Sequence, residues 1–340
     1  MSAPQQTGMR LGGIGAALFF GLATIGAVQF LRPESQLTST PLSNLADAMA
    51  TSVNAGPSAS PTADAFGVSG EVKVRLSLPG GRVEFPIAIA GAGDSLAYQW
   101  VSAVDESMPD PARTLTAAPT IAPRRPGFYH LSVLRGATRE ILSEPTLVVM
   151  VPFDQKLGGR VNGYRIGTYL AERFGGRFDR PIGFIEVRPE MLELAVTKHL
   201  KLGDFVTHDD QGDVWPKYVA LDPRLLDKLE LVFTDLGSRL RPGLGVDMHS
   251  GFRTPSHNSH VERAARDSRH QYGDAADLAI DADGDGRITM TDELLVMLAV
   301  ERVEEAHPDL AGGLGLYTSR RYRTPYVHID ARGKRSRWQG

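Results

Sequence analysis

The sequence predicts an α+β protein in which a small all-β, sandwich-like unit precedes a mixed unit of helices and strands. Three observations predict it. Apolar and polar residues alternate with period two through much of 70–153. Leu225, Leu226, Leu229, Val232, Phe233 and Leu236 recur at helical spacing. Short strand patterns then flank that helix from about residue 200 onward. The chain ahead of residue 70 follows neither period.

The first element is a run without a charged residue, Leu11 to Phe30. At ~1.5 Å per residue such a run spans the ~30 Å hydrocarbon core of a bilayer. Arg10 on its N-terminal side favours that end in the cytoplasm. Residues 1–32 are therefore expected to be a single-pass anchor in the inner (cytoplasmic) membrane, with a cleaved signal segment as the alternative. Either reading puts the rest of the chain in the periplasm or outside the cell. Residues 33–69 are dominated by Ser, Thr, Ala and Pro, and read as a flexible linker.

From residue 70, Val72, Val74, Leu76 and Leu78 alternate with Glu71, Lys73, Arg75 and Ser77, as in a half-buried strand. Pro79-Gly80-Gly81 supplies a turn. VEFPIAIA, LAYQWVSA, GFYHLSVL and TLVVMV are further strand candidates, and Trp100 is the expected core anchor of this Ig-like unit, 70–153. It is either a spacer or a module that binds glycan or protein, and no residue in it separates the two. Residues 154–199 read as a turn-rich connector containing one strand, RPIGFIEV. In 200–340, Asp222 caps a helix with Pro223 at its first position, and Gly237 stops it. LGVDMHSG reads as a strand entering a loop, LLVMLAVERVEE as a second helix, and PYVHIDAR as a final strand.

Composition narrows the chemistry. There is no cysteine, which excludes disulfides, thiolate metal sites, cysteine nucleophiles and a lipoprotein anchor. Any transition-metal site must use His, Asp or Glu. A formal net charge of −3 shows no basic excess, so no nucleic-acid partner is expected. HExxH, GxSxG and a Walker loop are all absent.

Histidine is scarce, nine in all, yet His249, His257, His260 and His270 fall within 22 positions beside Asp247, Asp267, Asp274 and Asp277. Isolated His–Asp neighbours are usually core or surface hydrogen-bond pairs; a cluster this dense points toward a metal site. The segment SRHQYGDAADLAID is the most informative. His270 and Asp277 are seven residues apart, ~10.5 Å along a straight helix and too far to share an ion there. Gly273 offers a reversal, which puts His270 on a turn and Asp277 on a strand. Ala275, Asp277 and Ala279 would share one face, with Ala276, Leu278 and Ile280 toward the core. His328, on the strand pattern YVHID, is the candidate third ligand. Two His and one carboxylate leave a fourth tetrahedral position for water, the arrangement of catalytic zinc.

SGFRTPSHN, SRHQYGDAADLAID, GGLGLY and PYVHIDARG together resemble the zinc D,D-carboxypeptidase and murein endopeptidase family, which has a hedgehog-like fold. The family pattern Ser-x-His-x-x-Gly-x-Ala-x-Asp followed by a strand His is met by Ser268, His270, Gly273, Ala275, Asp277 and His328, and the resemblance covers roughly 200–338. It implies Zn2+ held by His270, Asp277 and His328, and peptidoglycan stem peptides or crosslinks as substrate. The YVHID variant resembles the endopeptidase branch. Arg253 matches the family arginine that holds a substrate carboxylate or carbonyl, a task that suits a planar guanidinium. Many members carry an acid three residues before the last His; here Pro325 stands there. Asp330, two residues beyond His328, is the substitute general base, or else a partner that orients a ligand or Arg253. Ser268 either bonds near the metal or shapes the turn, and His249, His257 and His260 are secondary candidates for substrate contact. The departure at Pro325 keeps a non-catalytic, zinc-binding wall-binding or scaffold protein open as the alternative, and a zinc protease of ordinary peptides as a third.

A second metal pattern follows at 281–292. Asp281, Asp283 and Asp285 stand at positions 1, 3 and 5 of a twelve-residue calcium loop, Gly286 at 6 and Ile288 at 8. Arg287 would offer its carbonyl at position 7, and Asp292 takes the place of the usual Glu at 12. Ca2+ bound there would be a structural clip. The bland alternative is a solvated acidic turn.

Overall fold

Alternation places one apolar face per strand, and each face must find a partner layer. The computed structural model describes residues 67–84, 96–104, 109–115, 119–176, 178–237, 246–318 and 324–340, all within one compact unit, Ser39–Gly340. The anchor expected over 1–32, the linker up to residue 66 and the 85–90 part of VEFPIAIA lie outside the described residues. Among the described residues no helix is long and apolar enough to cross a membrane. Among the described residues the fold is mixed α+β, mostly strand with few helices, and holds no barrel.

The strand-rich segment carries β1 (Val74–Ser77), β2 (Arg82–Val83), β3 (Leu96–Ser102), β4 (Arg113–Thr114), β5 (Thr120–Ile121), β6 (Gly127–Arg135) and β7 (Thr138–Val149). Five form a sheet in the order β1-β7-β6-β3-β4, with β1 parallel to β7; β2 and β5 pair separately. Trp100 is fully buried on β3. Its indole N–H donates to the Ile121 carbonyl (2.9 Å) while Tyr98 Oη accepts from the Ile121 N–H (2.9 Å). One residue of the small sheet thus satisfies the polar ends of two aromatic core side chains.

The connector holds more than the one strand expected of it. β8 (Val151–Pro152) continues β7 and pairs with β11 (Gly183–Val187), which pairs with β12 (Lys217–Val219). Between them lie the hairpin of β9 (Arg160–Val161) and β10 (Tyr164–Arg165) and the short helix α1 (Leu170–Phe174). Val72, Val74, Val148 and Met150 of the strand-rich segment belong to the same apolar core as Phe184, Val219 and Leu229, so the two halves share a core.

Helix α2 (Pro223–Leu236) begins where Asp222 accepts the Arg224 N–H (2.9 Å), a cap worth about 1 kcal/mol, and ends at Gly237. Its Asp227 accepts the N–H groups of Val68 (2.9 Å) and Ser69 (2.8 Å). The expected linker is therefore held at its last residues, because a carboxylate on the helix takes up their backbone donors.

The final sheet holds β13 (Val246–Ser250), β14 (Ala275–Ile280), β15 (Gly313–Tyr317), β16 (Tyr326–Asp330) and β17 (Ser336–Gln339) in the order β13-β14-β16-β15-β17. β16 is not the last strand: β17 follows and pairs parallel to β15. The short helix α3 (Pro255–Asn258) lies between β13 and β14, and α4 (Met290–Ala306) between β14 and β15. Ala276, Leu278, Ile280, Val327 and Ile329 share a core with Leu229, Val296 and Val300, which covers one face of this sheet with α2 and α4. Behind β16, Lys228 is fully buried and donates to Glu304 Oε1 and to the Asp330 carbonyl, each at 2.7 Å. Arg337 on β17 binds the other Glu304 oxygen (2.6 Å), and the Gly312 N–H donates to Oε1 (3.0 Å).

Candidate metal centre

The opposite face of that sheet carries the predicted ligands. Antiparallel register sets Asp277 on β14 directly opposite His328 on β16. His270 arrives from the 3-10 turn Arg269–Tyr272, and Gly273 reverses the chain with φ 74°. A side chain at Gly273 would collide with the Ala220 carbonyl, so both the conformation and the close approach require glycine. His270 (2 % exposed), Asp277 (6 %) and His328 (6 %) are buried together.

Their donor atoms form a tight triangle. His270 Nε2 lies 3.2 Å from Asp277 Oδ1 and 3.2 Å from His328 Nδ1, and the last two are 2.9 Å apart. A tetrahedral ion with bonds of ~2.0–2.1 Å has ligand–ligand edges of ~3.3 Å, close to these separations. The far nitrogens set the tautomers. His270 Nδ1 faces the Gly251 carbonyl (2.7 Å), which only accepts, so Nδ1 holds the hydrogen. His328 Nε2 likewise donates to Asp330 Oδ2 (3.1 Å). With neutral rings, two lone pairs and a carboxylate oxygen converge on one point, an arrangement that repels itself unless a cation sits between them. This buried group could hold a metal ion.

The electrostatics agree. Burial lowers the pKa of His270. Burial would also lower that of His328, but its hydrogen bonds to Asp277 and Asp330 raise it overall. Burial would raise Asp277, yet His270 and His328 hold it well below the usual carboxylate range. Asp277 is thus ionised beside the two rings, a negative charge that a cation at the centre would neutralise.

Arg253 stands at the edge of the triangle. Its Nη2 pairs with Asp277 Oδ2, the oxygen facing away from the histidines, and its Nε donates to Ser250 Oγ (2.7 Å). Asp330 is fully buried. Its Oδ1 accepts the Gly313 N–H (2.7 Å), Oδ2 faces His328 Nε2, and the Arg332 guanidinium binds both oxygens. Burial would raise its pKa, but His328 and Arg332 hold it far below the usual range. Of the two roles the sequence leaves open for Asp330, this geometry favours orienting His328 over serving as a base, because it sits behind the ring, away from the point where the ligands converge.

The other candidate histidines make their contacts outside the triangle. His249 packs against Tyr326 (5.5 Å between rings) and lies 3.3 Å from Asp247. His257 follows the Thr254 cap of α3, and His260 Nδ1 bonds the Ser256 carbonyl (2.9 Å). Ser268 precedes the His270 turn, and its carbonyl accepts the Gln271 N–H (3.1 Å). Ser250, the Gly251 carbonyl, Arg332 and Trp338 were not foreseen. Trp338 lies 5.1 Å from His328, and a side chain on Gly315 would collide with its indole. The recurrence of Gly in GGLGLY was the available signal for that close approach.

Asp281, Asp283 and Asp285 form a second group, offering carboxylate oxygens within 4.8 Å of one another. Asp292 is not among them: its oxygens accept the N–H groups of Ala282 (2.8 Å), Asp283 (3.1 Å) and Thr289 (2.7 Å). No protein-family model, curated protein or solved structure matches this chain.

Proposed function

We propose that this protein is a zinc peptidase that hydrolyses D-amino-acid-containing stem peptides or crosslinks of peptidoglycan. One observation carries the reading: the hydrogens of His270 and His328 are drawn outward by Gly251 and Asp330, leaving a two-nitrogen, one-oxygen donor set aimed at a common point. That donor set suits zinc with an open position for water. Bound zinc would polarise the scissile carbonyl and lower the pKa of a water molecule. Asp277 divides its work, offering Oδ1 to the ion and Oδ2 to Arg253. Arg253, held at Nε and Nη2, keeps its Nη1 donors for a carboxylate or carbonyl of the peptide. Asp330 and Arg332 fix the His328 ring from behind. The apolar run at 11–30 and the linker after it suit an anchored head that reaches a wall outside the cytoplasm.

Two observations favour a second reading, a zinc-binding wall or scaffold protein without hydrolysis: Pro325 replaces the acid of the resembling family, and Asp330 has both oxygens engaged. A product assay decides. The full-length protein and its His270→Ala variant are incubated with purified sacculi and zinc, and the muropeptides are weighed by mass spectrometry. New muropeptides from the parent alone support the peptidase and identify the bond. Sacculi that retain the protein but remain intact would establish the binding role.

A further inference from the structure

We infer that the loop over residues 281–292 binds one Ca2+, and that this ion clips the end of the strand carrying Asp277 to the start of α4. The inference does not depend on hydrolysis by the neighbouring centre. Asp281 directly follows β14, four residues after Asp277, and α4 begins at Met290. Asp281, Asp283 and Asp285 bring three carboxylate oxygens within 4.8 Å of one another. The loop is already wound around them: the Gly286 N–H donates to Asp281 Oδ2 (2.9 Å), the Asp285 N–H to Asp283 (3.0 Å) and the Arg287 N–H to Asp285 (2.7 Å).

Turns of this kind also occur in acidic loops that bind nothing. The deciding observation is Asp281 itself. It is only 4 % exposed, and its Oδ1 is buried with no hydrogen-bond partner. A buried carboxylate oxygen without a partner is costly, and the cost disappears when the oxygen ligates a cation. An all-oxygen donor set, completed by the Arg287 carbonyl and water, suits a hard cation, and the Asp281, Asp283, Asp285 and Gly286 spacing suits Ca2+ over Mg2+. Asp292 holds the loop's frame instead, since its oxygens accept from Ala282, Asp283 and Thr289. It joins the first residues of the loop to the N-terminus of α4, where a negative charge is favourable.

The test uses the full-length, zinc-loaded protein. Calorimetric titration with Ca2+ to about 10 mM, above the ~0.1–1 mM range of extracellular modules, should show one site per chain. Saturating Ca2+ should raise the melting temperature by about 3–10 °C, the shift expected from ligand linkage at some ten to a hundred times Kd. The double variant Asp283→Asn/Asp285→Asn alters exposed side chains, so it should fold and lose the response. His270→Ala should keep it. No heat and no shift, an equal shift with Mg2+, or a Ca2+ response that vanishes in His270→Ala but survives in the double variant would each overturn the assignment.

Discussion

Two groups of ligand-type side chains draw members from β14 and its continuation, Asp277 for one and Asp281 for the other, and they are built in opposite ways. The His270, Asp277 and His328 group is assembled from a turn, the strand that follows it and the distant strand β16, is buried, and is held from outside by a backbone carbonyl, a carboxylate and a guanidinium. The Asp281, Asp283 and Asp285 group comes from one short loop, is mostly exposed, and is shaped by bonds between its own side chains and backbone. The first kind fixes donor geometry before any ion arrives, which is what polarising a substrate requires. The second leaves freedom for a larger and less demanding cation.

The sharpest way to break this contrast is to remove a buried donor. His270→Ala should cost more than the ~10–100-fold in zinc affinity typical of losing a supporting partner. Competition against a zinc chelator reads it; an unchanged affinity would show that the triangle is not the zinc site. Asp330→Asn should fall within that ~10–100-fold range, since it weakens the acceptor for His328 Nε2–H and leaves Arg332 without its charge partner. Acid sharpens the comparison further. Asp277 and Asp330 titrate below the ~3.9 of an unfolded Asp. Between the two states' pKa values the unfolded chain binds more protons. The stability these groups contribute is therefore full above about pH 4 and is lost as pH falls through their folded values. Urea melts at pH 6 and pH 3 should differ on the order of 2 kcal/mol from this source. Asp330→Asn should shrink the difference and Asp285→Asn should not. The smallest effect is expected from Asp285→Asn on zinc itself, within about twofold, because the side chain is exposed and shares no partner with the triangle.

Much of this was legible in the sequence where the determinants are local. Asp222, Pro223 and Gly237 delimit α2, and the Gly273 reversal puts His270 and Asp277 on consecutive elements, because caps and left-handed turns act through nearest neighbours. His328 could be named from a strand pattern and a family resemblance. The supporting shell could not. Gly251 contributes a carbonyl, which every residue has, so no letter of the sequence marks it. Trp338 reaches His328 only because β17 folds back parallel to β15, and a four-residue edge strand carries little periodicity. The docking of residues 67–69 was hidden for a similar reason: Asp227 lies within a helix whose apolar face dominates the pattern. The role of Asp330 was legible only as a choice between two, since the face it occupies follows from alternation while its partners follow from tertiary closure.

The buried Lys228 carries a consequence for how the domain closes. Its ammonium is lodged between α2, Glu304 at the end of α4 and the Asp330 carbonyl, and Glu304 is in turn bound by Arg337. Burial lowers the Lys228 pKa, and the Glu304 partnership, with the Asp330 charge behind it, restores part of it. A buried ion stripped of its partner is strongly unfavourable. Arrangements that hold α2 against the sheet without Glu304 in place beside it are accordingly disfavoured. The wall behind His328 therefore closes with α2 and α4 together, since Lys228 and Glu304 are buried as a pair against the Asp330 carbonyl.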